Sequence, residues 1–352
     1  MLKKNIRYRK WLLNLLLGVL ISSFLILSIV FMVDPFLQYR SRDKGYILNP
    51  RYVTPGLIKN FDYDTIIIGS SMTQNFNMQV FREYFNDKPL HVNCGGMTTR
   101  DIVSSIKLAN KINKAKKYYI CIDLANFNSN TQRRIPEHLF RDDFFSKIRY
   151  SFSHEVWFEF IPVDMFLLGI QKIGKQLPED YKYRIDVDYL GYWAHQHKFS
   201  RAIVMNKYQS NIDKVSEVDN KGLNERMKKN IDKFFEDLKD CKDKYNFFFP
   251  PYSVLFWHNA DKKGYIKQYL DAKRYFVTKA IQQNHNVYDF QAEEFICDLD
   301  NYKDTTHYKP EINDWMTKCF YNNSNLVNDE ITAENETKLL SILQKFSINN
   351  HY

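Results

Sequence analysis

Residues 64–71, Asp64-Thr65-Ile66-Ile67-Ile68-Gly69-Ser70-Ser71, carry a short β-branched apolar run to a stop at one glycine and two serines. Gln74 to Phe85 then reads as a helix. A buried strand that ends at a glycine turn and hands a serine to the start of a helix is one way to present a nucleophile. The N–H groups at such a helix start also face any negative charge that develops there. Many α/β proteins contain the same turn without chemistry, so the stretch constrains the fold before it constrains the function.

It opens an alternation. His91–Asn93 reads as a short strand, Thr99–Lys114 as a helix and Lys117–Leu124 as a strong strand. Strands alternating with helices of this length predict an α/β fold with a parallel central sheet covered on both faces. The rhythm lapses after Asn130. Residues 131–221, rich in aromatic and charged side chains, read as a mostly helical insertion over the C-terminal edge of the sheet, where loops commonly shape a substrate site. It resumes with a helix at about 222–242, a strand Asn246–Phe249 that stops at Pro250-Pro251, a helix at about 262–284 and a strand Asn286–Phe290. Helices from Pro310 to Phe320 and from Asp329 to Phe346 complete a second half over 222–352, matching a first half over 62–130.

The N-terminus is of another kind. Residues 1–10 hold five basic side chains, Lys3, Lys4, Arg7, Arg9 and Lys10, and Trp11 to Val33 is an uncharged run of 23 residues. As a helix it would be roughly 35 Å long at about 1.5 Å per residue, enough to span a bilayer. A cleaved signal peptide and a buried core helix are the alternatives. The length argues against a core helix, and no small-x-small site precedes Asp34-Pro35, which argues against cleavage. The expected topology is a basic cytoplasmic tail (1–10), a single-pass membrane anchor (11–33), a juxtamembrane link with Pro35, Pro50 and Pro55 (34–61), and an extracytoplasmic domain.

Mean hydropathy is −0.48 despite that run, so the remainder is soluble in character. The net charge of +9 comes from scattered lysines. On a protein facing away from the cytoplasm it suits acidic envelope polymers or anionic lipid and does not point to nucleic acid. The five cysteines, Cys94, Cys121, Cys241, Cys297 and Cys319, show no metal-ligand spacing. Their odd number gives no support to a disulfide framework. His195 and His197 have the spacing of a metal pair but no evident third ligand, and no metal or cofactor is expected.

Near the other end stands Asp304-Thr305-Thr306-His307. Within one turn this spacing puts carboxylate and imidazole on the same side, so the acid can hold one ring nitrogen while the other points outward. A serine hydroxyl needs such a base to become a nucleophile. An acyl-transfer oxyanion also needs donors. Candidates are the Ser71 N–H, an N–H of the Asn93-Cys94-Gly95-Gly96 turn, and a side-chain amide in Asp123-Leu124-Ala125-Asn126-Phe127-Asn128. Each also reads as an ordinary β–α turn. The serine follows the first strand, the glycine turn the second and the asparagines the third, so all fall on one edge of a parallel sheet.

This order resembles the SGNH (GDSL-type) hydrolase superfamily. Gly69-Ser70-Ser71 matches its Gly-Asp-Ser block with Ser70 in place of the acid, Asn93-x-Gly95 matches the glycine block, and Asp304-x-x-His307 matches the terminal Asp-x-x-His in full. Leu124-Ala125-Asn126-Phe127 keeps only the Asn of Gly-x-Asn-Asp, so Asn128 is an alternative to Asn126. The match covers residues ~60–130 and ~222–320. With the anchor, Asp34-Pro35-Phe36 and Phe248-Phe249-Pro250-Pro251-Tyr252, the chain looks like the membrane-anchored branch that includes proteins of alginate O-acetylation and of D-alanine transfer to teichoic acids. The resemblance implies a three-layer flavodoxin-like fold and a serine esterase or O-acyltransferase. Ser71 would be the nucleophile, His307 the base, Asp304 its orienter, and Ser71, Gly95 and Asn126 the oxyanion donors. It implies an envelope glycan or other polymer as acceptor and a membrane-bound acyl-transfer protein as donor. The other class left open is a non-catalytic relative that binds glycan or scaffolds a polymer-modification machine. Trp157, Tyr181, Tyr183 and Trp193 in the insertion are candidates for stacking on sugar rings.

Overall fold

A computed structural model describes residues 2–41, 49–128, 134–163, 165, 197–212 and 222–346. Five strands, β1 (Thr65–Gly69), β2 (Pro89–Asn93), β3 (Lys117–Cys121), β4 (Asn246–Phe249) and β5 (Asn286–Asp289), form one sheet in the order β2-β1-β3-β4-β5. Every pair is parallel. The α/β class and the parallel sheet are as the alternation predicts, and the order is the one flavodoxin-like sheets use. The strands are buried on both faces, which is why they read as continuous apolar runs such as Ile66-Ile67-Ile68 and Phe247-Phe248-Phe249.

Right-handed crossovers decide which helix lies on which face. The step from β1 to β2 runs one way along the sheet and carries helix Met78–Phe85. The steps β2 to β3, β3 to β4 and β4 to β5 run the other way and place Thr99–Ile112, Leu223–Leu238 and Ile266–Gln282 on the opposite face. Helix Pro310–Asn322 returns to pack on Met78–Phe85. Its Phe320 meets Tyr119, Phe248 and Tyr288 from three successive strands.

Four expectations change in detail. The juxtamembrane link holds a helix, Pro50–Asn60, packed on Thr99–Ile112 and β2. Pro50 at its first turn costs no hydrogen bond there, and Gly56 lets the chain at Phe36 and Leu37 lie directly against it. The helix expected from Gln74 begins only at Met78, because the Asn77 side chain caps it by accepting from Gln79 N. The helix expected at about 262–284 is preceded by a separate one, Val254–Lys262, and Gly264 at φ +72° makes the break. The third strand ends at Cys121 and a 3-10 turn, Leu124–Phe127, follows. Within the insertion, helices Phe144–Ser151 and Arg201–Ile212 are present. Tyr181, Tyr183, Trp193 and His195 lie outside the described residues. At the N-terminus, Leu2–Val33 is one helix, of which Arg7–Val33 is long and apolar enough to cross a membrane.

Candidate active site

The order of the strands reverses between β1 and β3, and ligands of open α/β sheets bind outside the carboxyl ends of strands at such a point. Ser71 leaves β1 there. Gly69, the last residue of β1, has no room for a side chain: a Cβ would strike Thr73 and sit 2.7 Å from the Cys121 Cβ. Ser70 caps a 3-10 turn, Ser71–Thr73, with its hydroxyl facing Met72 N. The nucleophile candidate therefore opens a single short turn rather than a long helix, so the helix-dipole contribution foreseen from the sequence is small and the local N–H groups matter more. The Ser71 N–H, first in its turn, has no partner within that turn. Beneath it, His91 is fully buried and bonded to the Thr73 backbone, and burial pushes its pKa down to about 3, so it packs as a neutral ring.

The structure brings Ser71, His307 and Asp304 together. Ser71 Oγ lies 2.8 Å from His307 Nε2. His307 Nδ1 lies 2.8 Å from Asp304 Oδ2 and 3.0 Å from Oδ1. A carboxylate can only accept, so the ring proton sits on Nδ1 and the Nε2 lone pair faces the serine hydroxyl. Asp304 Oδ1 also accepts from the backbone N–H of Thr306 (2.9 Å) and of His307 (2.8 Å). Burial by itself raises the Asp304 carboxyl; the hydrogen bond and charge of His307, with these backbone donors, outweigh it and hold the carboxyl well below the usual range.

The loop that carries His307 is pinned on several sides. Lys303 N donates to the His307 carbonyl at 3.1 Å, closing the loop on itself. Ser253, in the loop after β4, donates its hydroxyl to the Thr305 carbonyl at 2.7 Å and its N–H to the same oxygen at 3.1 Å. Tyr302 Oη donates to the Pro251 carbonyl at 3.0 Å. Tyr308 Oη reaches the Met72 carbonyl at 2.7 Å, and Asn75 Nδ2 donates back to the Tyr308 carbonyl at 3.4 Å.

The remaining predicted residues line the same edge. Cys94 to Met97 make a β-turn closed by Met97 N to the Cys94 carbonyl at 3.1 Å, with Gly96 at φ +65°. Gly95 is exposed, with nothing within 4 Å of where a Cβ would stand, so a ligand can approach its backbone. Asn126 donates Nδ2 to the Met97 carbonyl at 3.0 Å, which ties the third loop to the glycine turn and leaves the second amide hydrogen for a ligand. Asn128 faces away, its Oδ1 3.5 Å from Arg226 Nη2.

Sequence reasoning passed over Asp123. By the β1–β3 register, Ser71 and Asp123 each stand three residues beyond the last pair, Ile68 and Ile120. Asp123 Oδ1 accepts from Tyr252 Oη at 2.7 Å and from Ala125 N at 3.2 Å, capping the turn that carries Asn126. Burial pushes its carboxyl up, against the pull of those two bonds and of the nearby His307. Its signal in sequence was only an acid two residues past a strand. His197 lies near His307 and Asp304, and among the described residues no His, Cys, Asp or Glu group forms a metal site. Trp157 is partly buried with its Nε1 donating to the Ser151 carbonyl at 2.7 Å, a packing role. All five cysteines are unpaired; burial pushes the Cys94 thiol up to about 12, so it is not an activated nucleophile.

A cleft of about 850 Å³ lined by Asp232, Cys241, Asp243 and His285 opens at the other, N-terminal edge of the sheet. Burial raises the Cys241 thiol, and the cleft holds no nucleophile–base pair comparable to Ser71–His307. Comparison with protein-family models and with curated proteins gives no match for this chain.

Proposed function

We propose that this chain is a membrane-anchored serine esterase or O-acyltransferase of the SGNH (GDSL) type, acting on an envelope polysaccharide on the outer side of the membrane. The observation that carries the reading is the continuous Ser71–His307–Asp304 relay, 2.8 Å at each link. Asp304 and His307 meet within one turn, but Ser71 comes from 236 residues away, and the order in which the three groups join is the one nucleophilic acyl transfer uses.

In this mechanism Ser71 Oγ attacks the ester carbonyl carbon while His307 Nε2 takes the hydroxyl proton. The tetrahedral oxyanion is met by the N–H groups of Ser71 and Gly95 and by the Asn126 amide. Asp304 stabilises the imidazolium without taking its proton. The C–O bond to the leaving alcohol breaks as His307 returns the proton to that oxygen, leaving an acyl ester on Ser71. Water or a sugar hydroxyl then attacks this ester, His307 again serving first as base and then as acid. The N-terminal basic cluster favours an extracytoplasmic domain, where a membrane-bound acyl-transfer protein would be the natural donor.

The test is turnover of an aryl acetate by the purified full-length protein, with and without a mixture of soluble glycans. Aryl acetate hydrolysis that disappears in Ser71→Ala supports the reading, and acetyl ester appearing on a glycan assigns transfer. A folded wild-type protein with no turnover of aryl acetate or of an acetylated glycan would leave only binding or scaffolding.

A further inference from the structure

The junction between the apolar helix and the domain is rigidly built. Asp34, the first residue after the helix, is buried. Its Oδ1 accepts from Gln38 N at 2.8 Å and from Tyr150 Oη at 2.9 Å, and its Oδ2 from Tyr39 N at 2.9 Å. Phe36 N donates to Tyr150 Oη at 3.2 Å, and Tyr39 Oη lies 2.7 Å from Ser151 Oγ. Arg40 Nη2 donates to the Met32 carbonyl at 2.6 Å, at the helix C-terminus where a cation is favoured. The helix end is thus welded to Phe144–Ser151, and the tilt of the domain against the helix axis is fixed by hydrogen bonds.

The surface beside this weld carries large apolar side chains exposed among charged ones. Phe144 is 71% exposed, Phe145 80%, Phe158 73% and Met165 56%. Single exposed apolar side chains are ordinary, whereas a cluster of large ones marks an interaction surface. Phe144 and Phe145 contact each other edge to face at 5.9 Å. Phe158 sits in a π-helical turn, Val156–Phe160, which widens the helix and turns Phe158 outward while Val156 and Phe160 stay buried. Lys147 and Arg149 share the helix with Phe144 and Phe145; Lys147 pairs with Asp142 at 2.9 Å, and Asp143, Glu155 and Glu159 are also exposed, so the aromatic side chains rather than net charge carry the attraction to the headgroup layer.

We propose that Phe144, Phe145, Phe158 and Met165 form a membrane-docking surface, in which these side chains enter the interfacial layer of the bilayer next to the point where Val33 leaves it. The occupant is lipid because the patch is continuous with the apolar helix through the Asp34–Tyr150 weld. The proposal rests on reading Arg7–Val33 as a membrane span. Its consequence is that the domain is held against the bilayer in one orientation and does not swing on a tether.

The test uses the full-length protein with p-benzoyl-phenylalanine placed singly at Phe24, Phe145, Phe158 and Tyr321, in vesicles of phosphatidylglycerol and phosphatidylethanolamine. Tyr321, exposed on the helix of the opposite sheet face, is the soluble-side control. After irradiation, intact mass should show lipid adducts at Phe24, Phe145 and Phe158, with at least tenfold less at Tyr321. Adducts at Phe24 but none at Phe145 or Phe158 overturn the docking surface and keep the anchor. Adducts at Phe145 and Phe158 without Phe24 remove the span on which the proposal rests and overturn it as stated. Crosslinking of Phe145 and Phe158 to a second copy of the chain in place of lipid overturns the proposal.

Discussion

Tyr308 Oη donates to the Met72 carbonyl at 2.7 Å, so the residue after His307 is bonded to the residue after Ser71. The two positions are 236 apart in sequence, and this bond is the one among those pinning the His307 loop that ties it directly to the turn carrying Ser71. Tyr308→Phe keeps the ring and deletes the hydroxyl, leaving a buried carbonyl without its donor. The expected result is a fall in kcat of about tenfold, since displacement of a catalytic pair is costly even when small, with KM little changed. Steady-state kinetics on an aryl acetate checks it; an unaltered kcat would show that the pair is positioned by other contacts.

The oxyanion assignment separates two neighbouring asparagines. Asn126 joins the glycine turn through Met97, and Asn128 faces Arg226. Asn126→Asp keeps the shape and removes the donor, and should lower kcat by about 100- to 1,000-fold. Asn128→Ala should change it less than about threefold under the same assay. The reverse ranking would move the third donor to Asn128.

The depressed Asp304 carboxyl makes a signed prediction about pH. A carboxylate whose folded pKa lies below its ordinary value of about 3.9 contributes stability that is fully present above that value and is lost as pH falls toward the folded one. Asp304→Asn removes this contribution. Wild-type protein should therefore exceed Asp304→Asn in thermal stability by a constant margin from pH 7 to about pH 5, and the margin should shrink below about pH 4. At pH 7 the variant should also lose about 100- to 10,000-fold in kcat through the wrong imidazole tautomer. A margin that grows on acidification would contradict the arrangement of charges.

Under the sheet edge, Lys273 and Asp289 form an ion pair at 2.8 Å, both fully buried. Asp289 also accepts from Gln291 N and Asn335 Nδ2. Lys273→Met strands the carboxylate and should cost about 3–5 kcal/mol in a denaturant melt. Adding Asp289→Asn should recover part of that loss. A melt indistinguishable from wild type would mean that the pair contributes nothing to the second half of the sheet.

Much of the scaffold was legible in the sequence because its signals are local. Thr65–Ile68 is β-branched and bounded by turns, Asn246–Phe249 ends where prolines forbid a ladder donor, and Asp304-x-x-His307 folds on itself within one turn. What stayed hidden depends on partners far along the chain. The break between Ser71–Thr73 and Met78 follows from Asn77 capping the later helix, a choice that periodicity does not register. The helix Pro50–Asn60 carries two prolines, which alone read as a linker; its register is fixed by the close approach at Gly56. Asp123 joined the site through Tyr252, 129 residues away, and Ser253 through Thr305, 52 away. No spacing rule in a single sequence brings such pairs together.

Covalent labelling of the full-length protein by a fluorophosphonate, mapped to a peptide by mass, tests the central claim most directly. The serine is expected to react only because His307 accepts its proton. The predicted result is a single adduct on Ser71 in the wild-type protein, lost in Ser71→Ala and reduced by orders of magnitude in His307→Ala. A folded protein that takes no label at Ser71, or that labels equally well with His307 removed, would contradict the account.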